Sequence, residues 1–342
     1  MKRLVNKYYG QIMEVKLSAS RIKTAQSCSW IYWNKYKQNL PDTNNDGARR
    51  GTVCHNTFEF LSKQKTKTHF NKIVKARDPF ASKAVKDLIM SDASELGVTD
   101  EDNMNLIKEM ILNGLSCNFH GEDLGIPDEA HAELDFDIEQ NGYHIRGFID
   151  QLFLYKKKKI AIIRDYKTSK KMFEGKEKED NLQDYMYSLA VKTLFPEYIN
   201  RTSEFLFLKF NLKKNGLMKM KPIDDDDLEG FELQLASIQD YLENFDEKDA
   251  VSNFAIDKGF PEDGSFGGKL QCGFATEKGQ LKKDGSLMWH CPYKFDFWHV
   301  KILDKDGEFH SSCFQEDFKK QMVPEGGSHE IKYYEGCPKH LK

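Results

Sequence analysis

The fold is decided by the stretch GFIDQLFLYKKKKIAIIRDYKTS, which spans residues 147–169. Its two halves are rich in Ile, Phe and Leu and are separated by Tyr155 and a run of lysines, a pattern that predicts two strands joined by a polar turn. Side chains alternate along a strand, so Asp165 and Lys167 should point to one face of the second strand and Tyr166 to the other.

The acidic residues of these two strands predict a metal site. Asp150 on the first strand and Asp165 on the second would together hold a hard, oxygen-seeking divalent cation, with the ammonium group of Lys167 beside it. This combination is the apparatus of metal-assisted phosphodiester hydrolysis. The alternative is that the three residues are solvated charges at the edge of a hairpin, because an Asp-x-Lys triplet also occurs by chance.

Composition bounds the class of protein. The chain has 342 residues, of which 39% are hydrophobic and 31% charged, which indicates a globular protein with one large domain or two small ones. No apolar run approaches the ~20 residues that a membrane span needs. The first residues also lack the apolar core of a signal peptide, so we expect an intracellular protein, cytoplasmic or in the host cytoplasm if viral, that makes no membrane contact.

Charge and cysteine content exclude two further classes. A net charge of −3 argues against a protein that coats nucleic acid, although an enzyme with a local basic channel remains compatible with it. Seven cysteines, an odd number without a secretion signal, argue against a disulfide framework. No Cys-x-x-Cys pair is present, so local spacing alone predicts neither a zinc nor a redox motif.

Helical patterns surround the strand pair. A helical region is predicted from residue 16 to 63, capped by Ser18 or Ser20, and after a loop at 44–47 it places His55 and Glu59 one turn apart on one face. Residues 64–128 are charged and helical in pattern, which predicts an inserted helical region.

The second half of the chain predicts more strands and two more helices. Asn141-Gly142 between alternating segments predicts a hairpin turn. Helices are expected at residues 181–194 and 224–245, and strands near 132–154, 160–167, 204–210 and 217–221. The acidic run Asp224–Asp227 is interpreted as a helix N-terminus rather than a metal cluster. Residues 250–300 are rich in loops, and the last forty residues carry no pattern that we can assign.

Five short motifs follow one another in a recognisable order. They are Leu17-Ser-Ala-Ser-Arg-Ile-Lys-Thr-Ala-Gln-Ser-Cys28, Gly51-x-x-x-His55, Gly147-Phe-Ile-Asp150, Asp165-Tyr-Lys167 and Gln183-x-x-x-Tyr187. This order resembles the RecB-like branch of the PD-(D/E)XK nuclease superfamily, which includes RecB and AddB nuclease domains and CRISPR-associated exonucleases. The resemblance covers roughly residues 16–210 and, more loosely, the cysteine region to about 300.

The resemblance implies a role for each matching residue. Asp150, Asp165, the Tyr166 carbonyl and His55 would hold Mg²⁺ or Mn²⁺. Lys167 would orient or deprotonate the attacking water and stabilise negative charge at phosphorus.

Further residues would contact the substrate. Gln183 and Tyr187 would hold substrate phosphate or the geometry of the site, and Lys170 and Lys171 are candidate phosphate contacts. For Glu133 and Glu59 a salt-bridging role suffices.

The cysteines depart from the pattern of the iron–sulfur members of this branch, which place one cysteine in the early helix and three near the end of the nuclease domain. Cys28, Cys272 and Cys291 match three of these positions, but a fourth cysteine does not follow Cys291 at the expected place. The candidates to replace it are Cys313, Cys337, His290 and His299. A [4Fe-4S] cluster, a zinc ion bound by Cys and His, and a degenerate site without metal all remain open.

The resemblance therefore implies an α/β fold with a restriction-endonuclease-like core, in which helices flank a central mixed sheet. Its parts are an N-terminal extension at residues 1–15, a nuclease domain at 16–300 with the helical insertion at 64–128, and a C-terminal extension at 301–342.

The expected function is metal-dependent DNA hydrolysis by an exonuclease or flap-type enzyme of recombination, repair or phage replication. DNA is the expected partner, and a separate helicase or recombination protein could join it, since the chain has no phosphate-binding loop of its own. The alternatives are a restriction-type endonuclease and an inactive nucleic-acid-binding subunit.

Overall fold

The computed structural model describes residues 15–43, 45–262 and 267–341. Apart from Val15, the predicted N-terminal extension lies outside these residues, and so does Asn44 of the predicted loop at 44–47.

A five-stranded mixed sheet forms the centre of the fold. Its strands are β1 (Glu129–Gln140), β2 (Tyr143–Tyr155), β3 (Ile160–Lys167), β4 (Asn200–Phe207) and β5 (Leu217–Lys219), and they lie side by side in chain order. β2 is antiparallel to β1 and β3, β4 is parallel to β3, and β5 is antiparallel to β4. Asn141 and Gly142 both have positive φ, as the predicted tight turn between β1 and β2 requires.

Helices flank this sheet, so the predicted α/β fold class is confirmed. They are α1 (Ala19–Ser27), α2 (Ser29–Tyr32) with a π-helical continuation (Trp33–Lys37), α3 (Asp46–Ser62), α4 (Lys67–Ala76), α5 (Lys83–Leu96), α6 (Glu101–Leu115), α7 (Lys176–Glu179), α8 (Leu182–Leu194), α9 (Asp225–Glu243) and α10 (Glu247–Ala250). α8 belongs to the crossover that joins the parallel strands β3 and β4.

Side-chain caps fix the starts of several of these helices, among them α1, α8 and α9. The Ser18 hydroxyl accepts the backbone N–H of Arg21 at the start of α1. The Asn181 side chain accepts two N–H groups at the start of α8. Asp224 caps α9, which agrees with the interpretation of the acidic run as a helix N-terminus.

Two apolar cores lie on opposite faces of the sheet. One contains Ile22 of α1, Leu189 of α8 and Leu235 of α9 against strand residues such as Ile163. The other contains side chains from α3 to α6 together with Tyr166. The helices within residues 67–115, in the predicted helical region, therefore share a core with the sheet.

A second, three-stranded sheet begins at the end of the predicted loop-rich stretch and extends into the last forty residues, where the sequence shows no pattern. β6 (Phe297–Leu303) lies between β7 (Phe309–Phe314) and β8 (Ser328–Tyr334), antiparallel to both. Trp30 of α2 donates its indole N–H to the Tyr334 hydroxyl at 2.7 Å, which joins this sheet to the N-terminal helices.

Within the described ranges, no helix has the length and the apolar character that crossing a membrane requires.

Candidate active site

Asp150 and Asp165 face one another across β2 and β3, one residue beyond the ladder pair of Gln151 and Arg164. Both are buried, at 8% and 4% exposure. The Asp150 Oδ2 accepts the backbone N–H of Tyr166 at 2.7 Å, which fixes the carboxylate between the strands. Burial and the nearby charge of Asp165 raise the pKa of Asp150 to about 6, against the opposing effect of His55.

His55 projects from α3 toward this pair. Its Nδ1 lies 3.3 Å from Asp150 Oδ1 and 3.6 Å from Glu133 Oε1, and its Nε2 lies 3.2 Å from the Tyr166 carbonyl oxygen. Burial lowers the pKa of His55, but the hydrogen bonds and charges of the carboxylates raise it to about 10. A proton on the imidazole therefore occupies the place between the acids that a cation could take.

Glu133 reaches the same point through an unusual backbone conformation. It has a φ of +48° in the middle of β1, and its neighbours Ala132 and Leu134 pair with β2 on either side of it. A left-handed conformation is uncommon for a residue other than glycine and costs conformational energy where it occurs. Here it brings a second acidic side chain to His55, beside Asp150.

The ligand atoms of His55, Glu133 and Asp150 lie within 4.8 Å of one another, and in the described part of the chain no other group of three His, Cys, Asp or Glu residues does so. The Tyr166 carbonyl adds a fourth donor beside them. Carboxylate and carbonyl oxygens suit Mg²⁺ and Mn²⁺, and the imidazole suits transition metals. The donor set therefore fits a divalent cation.

Asp165 does not join that group but is held from the other side of the strand pair. Its Oδ1 accepts hydrogen bonds from Gln183 Nε2 at 2.7 Å and from the Tyr187 hydroxyl at 3.1 Å, and both residues lie on one face of α8. Its Oδ2 lies 2.7 Å from Lys167 Nζ without a well-directed hydrogen bond. One oxygen of a buried carboxylate is thus left without a directed donor in the described structure.

Gln183 orients Lys167 as well. Its Oε1 accepts the Lys167 ammonium at 2.6 Å, so one amide bridges Asp165 and Lys167. Burial and the charges of Asp165 and Asp150 raise the pKa of Tyr187 well above its usual range, which keeps the phenol protonated as a donor.

An open cleft of about 570 Å³ borders the site. Its lining residues are Ala48, Gly51, Thr52, His55, Asn56, Glu59, Glu133, Phe148 and Thr168. Lys170 and Lys171 are exposed on the loop that follows Thr168, and no described residue forms an ion pair with either of them.

The predicted cysteines meet at a second place. Cys28, Cys272 and Cys291 line a small cavity of about 20 Å³ together with Cys337. Of the four candidates for the missing fourth ligand, Cys337 is therefore the one that lies with the other three cysteines. Cys313 instead packs against Val300 and Ile302 in the C-terminal sheet.

Backbone contacts tie this cysteine cluster together. The Cys291 N–H donates to the Cys272 carbonyl at 3.2 Å, and the Cys337 N–H to the Lys294 carbonyl at 3.2 Å. A side chain at Gly273, where φ is +71°, would come within 2.4 Å of the Trp289 carbonyl, so glycine is required there. Burial raises the pKa of Cys337 to about 11 and that of Cys291 still further.

Sequence reasoning gave too little weight to two residues at these sites. Glu133 was assigned only a salt-bridging role, and no alternation rule predicts a left-handed residue in a strand. Cys337 was one of several substitutes, because it lies far along the chain from Cys291 with no local spacing signal. Only the three-dimensional contacts select it.

Comparisons with known proteins bear on the family. The family model described as the PD-(D/E)XK nuclease superfamily matches residues 16–253. A crystal structure of protein VC1899 from Vibrio cholerae is similar to this chain at 11% identity with a TM-score of 0.22, over 62% of this chain and 59% of that one. This chain thus spans less than two thirds of that protein. No curated protein matches the sequence.

Proposed function

Because the chain belongs to the PD-(D/E)XK nuclease superfamily, we propose that it is a RecB-like deoxyribonuclease that uses Mg²⁺ or Mn²⁺. The observation that carries the proposal is the convergence of His55, Glu133 and Asp150 beside the ion pair of Asp165 and Lys167. An abandoned site would have no chemical need for this arrangement, which argues against an inactive binding subunit.

The proposed cation ligands are His55, Glu133, Asp150 and the Tyr166 carbonyl, and Asp165 is expected to join them through its Oδ2. A divalent cation, when bound, supplies Lewis-acid activation of water and neutralises charge on the phosphoryl oxygens. The imidazole in this set favours Mn²⁺ over Mg²⁺ in affinity, whereas the oxygen ligands accept both.

Lys167 is the proposed catalytic cation. Its half-buried ammonium group lies beside Asp165 and is directed by the Gln183 amide, so it can stabilise negative charge on the phosphate or orient the attacking water. Gln183 and Tyr187 are proposed as positioning residues, because both hydrogen-bond the Asp165 carboxylate. Lys170 and Lys171 are proposed to contact substrate phosphates from the loop beside the cleft.

The proposed substrate is DNA, cleaved by an exonuclease or flap-type activity in recombination, repair or phage replication inside a cell, with a helicase or recombination protein as a separate partner. We retain the proposed division into an N-terminal extension, a nuclease domain at residues 16–300 with its helical insertion, and a C-terminal extension at 301–342. A restriction-type endonuclease would need a sequence-reading surface on the insertion or on the C-terminal part.

We further propose that Cys28, Cys272, Cys291 and Cys337 hold a [4Fe-4S] cluster. Four cysteine thiolates are the usual complement of such a cluster. A single tetrahedral zinc with Zn–S bonds of about 2.3 Å would need sulfur atoms roughly 3.8 Å apart. No three of the four described sulfur atoms lie within 4.8 Å of one another, which argues against a single tetrahedral zinc at this place.

Two lysines support an anionic group at that place. Lys294, which is 8% exposed, donates to the Gly273 carbonyl at 3.0 Å, and Lys258 donates to the Gln26 and Ser27 carbonyls at 2.6 and 2.9 Å, next to Cys28. Both cations are therefore fixed beside the cysteine cluster.

End-labelled single- and double-stranded DNA tests the nuclease proposal, with Mg²⁺, Mn²⁺ or EDTA in parallel. We expect cleavage with either cation and none with EDTA, and a ladder that begins at one labelled end for an exonuclease. Asp150→Asn should be inactive, whereas Glu139→Gln, an exposed acid elsewhere on β1, should cleave like the wild type. Absence of cleavage by the wild type with every cation would overturn the proposal.

A further inference from the structure

Phe148 is exposed in the middle of the nuclease motif. It lies on β2 two residues before Asp150, so both side chains belong to the same face of the strand. Residues 149–155 of β2 are all buried, yet the Phe148 ring is 47% exposed. It lines the same cleft as His55 and Glu133.

Core formation does not account for this ring. Its antiparallel partner on β1 is Asp135, which is itself exposed, and Phe148 is absent from the apolar clusters formed by the described residues. The Phe136 ring packs directly against the neighbouring Gly147. A Cβ at Gly147 would lie only 2.6 Å from this ring. The buried ring of Phe136 thus supports the strand beneath an aromatic side chain that faces the cleft.

We propose that Phe148 stacks on a nucleobase of an unpaired DNA strand whose phosphate lies at the cation site. This inference rests on the proposed nuclease function and names the form of substrate that the site accepts. Every base has a π face, so an aromatic platform binds single strands without regard to sequence, and such stacking contributes about 1–3 kcal/mol per base. A base inside a duplex is already stacked and paired, so its face is not free to meet the ring.

The charges around the cleft agree with a single strand as the occupant. The group of His55, Glu133 and Asp150 would hold a phosphate through its cation, and Thr168 lines the same cleft as Phe148. The exposed Lys170 and Lys171, two and three residues after Thr168, are available for further phosphates of the same strand.

The test measures binding rather than turnover. Fluorescence anisotropy with Mn²⁺ present, in proteins that all carry the cleavage-blocking Lys167→Ala change, compares a labelled single-stranded oligonucleotide with one of the same length built from abasic residues and with the duplex. For Phe148→Ala we expect a loss of about 5- to 150-fold on the single strand, which is 1–3 kcal/mol of stacking, and no change on the abasic strand. Phe148→Trp should bind the single strand at least as well as the wild type.

Trp298→Ala is the matched control, because Trp298 is 51% exposed and lies on the C-terminal sheet, outside the cleft lining. It should bind all three ligands like the wild type. Equal losses for Phe148→Ala on the normal and abasic strands would overturn the stacking proposal, as would an unchanged affinity for the single strand or tighter wild-type binding to the duplex. Failure of the nuclease proposal would show separately, as absent cleavage by a wild type that still binds in this way.

Discussion

Asp184 is a buried carboxylate that should weaken the fold at neutral pH. It lies on α8 directly after Gln183, is 4% exposed and forms no ion pair within the described residues. The Ser188 hydroxyl lies 3.4 Å from its carboxylate, and the hydroxyls of Ser203 and Ser188 only partly offset the effect of burial. Burial raises the pKa of Asp184 from its ordinary value of 3.8 to about 6.

The size and sign of the effect follow from this pKa. The folded pKa exceeds the unfolded value by about two pH units, and each is equivalent to about 1.4 kcal/mol, so ionised Asp184 costs the fold about 3 kcal/mol. Because the pKa of Asp184 is higher in the folded state, the contribution of this group to stability is fully present below pH 3.8 and is lost as pH rises through about 6. Above that value the cost is constant.

Asp184→Asn removes the charge and keeps the shape. We expect its free energy of unfolding in urea to exceed that of the wild type by up to about 3 kcal/mol at pH 8, with the gain shrinking as pH falls toward 4. Asp226→Asn removes an exposed acid from the first turn of α9 and should instead lose about 0.3–1 kcal/mol. A difference between Asp184→Asn and wild type that stays constant from pH 4 to pH 8 would refute the reasoning.

The remaining predictions concern the two sites. Glu133→Gln should weaken Mn²⁺ binding by about tenfold or more in titration calorimetry, whereas Glu59→Gln should bind like the wild type; equal affinities would remove Glu133 from the ligand set. Lys167→Ala should abolish most cleavage and leave Mn²⁺ affinity nearly unchanged, and a wild-type rate would contradict its catalytic assignment. Anaerobically purified protein should absorb broadly near ~400 nm. Cys337→Ser should lose this band and melt at a lower temperature, while Cys313→Ser should keep the band and the wild-type melting temperature. A Cys337→Ser variant that retains the band would exclude Cys337 as a cluster ligand.

Local patterns were sufficient for much of the fold. The strand pair around Asp150 and Asp165 was predictable because two apolar segments, 147–154 and 160–167, are separated by a polar turn. The Asn141-Gly142 hairpin followed from turn chemistry. α8 was predictable because its capping residue and its apolar face both lie within residues 181–194.

Longer-range features were beyond such patterns. β8 exposes all its residues but Tyr334, so its brief alternation of polar and apolar residues at 330–333 corresponds to no buried face. The left-handed φ of Glu133 depends on the tertiary fit between β1 and α3. The meeting of Cys28 and Cys337 depends on the whole intervening chain, whose length carries no information about which cysteines converge.

The contact between α2 and the C-terminal sheet has a consequence for biosynthesis. Trp30 and Ile31 pack against Tyr334, and Cys28 packs against Cys337, so these early side chains are covered by residues made about 300 positions later. At a translation rate of roughly 5–20 residues per second, they wait about 15–60 s on the ribosome for their cover. During that interval the nascent chain presents an aromatic surface that a chaperone could shield, and a message truncated before codon 334 would release a chain on which that surface is never closed.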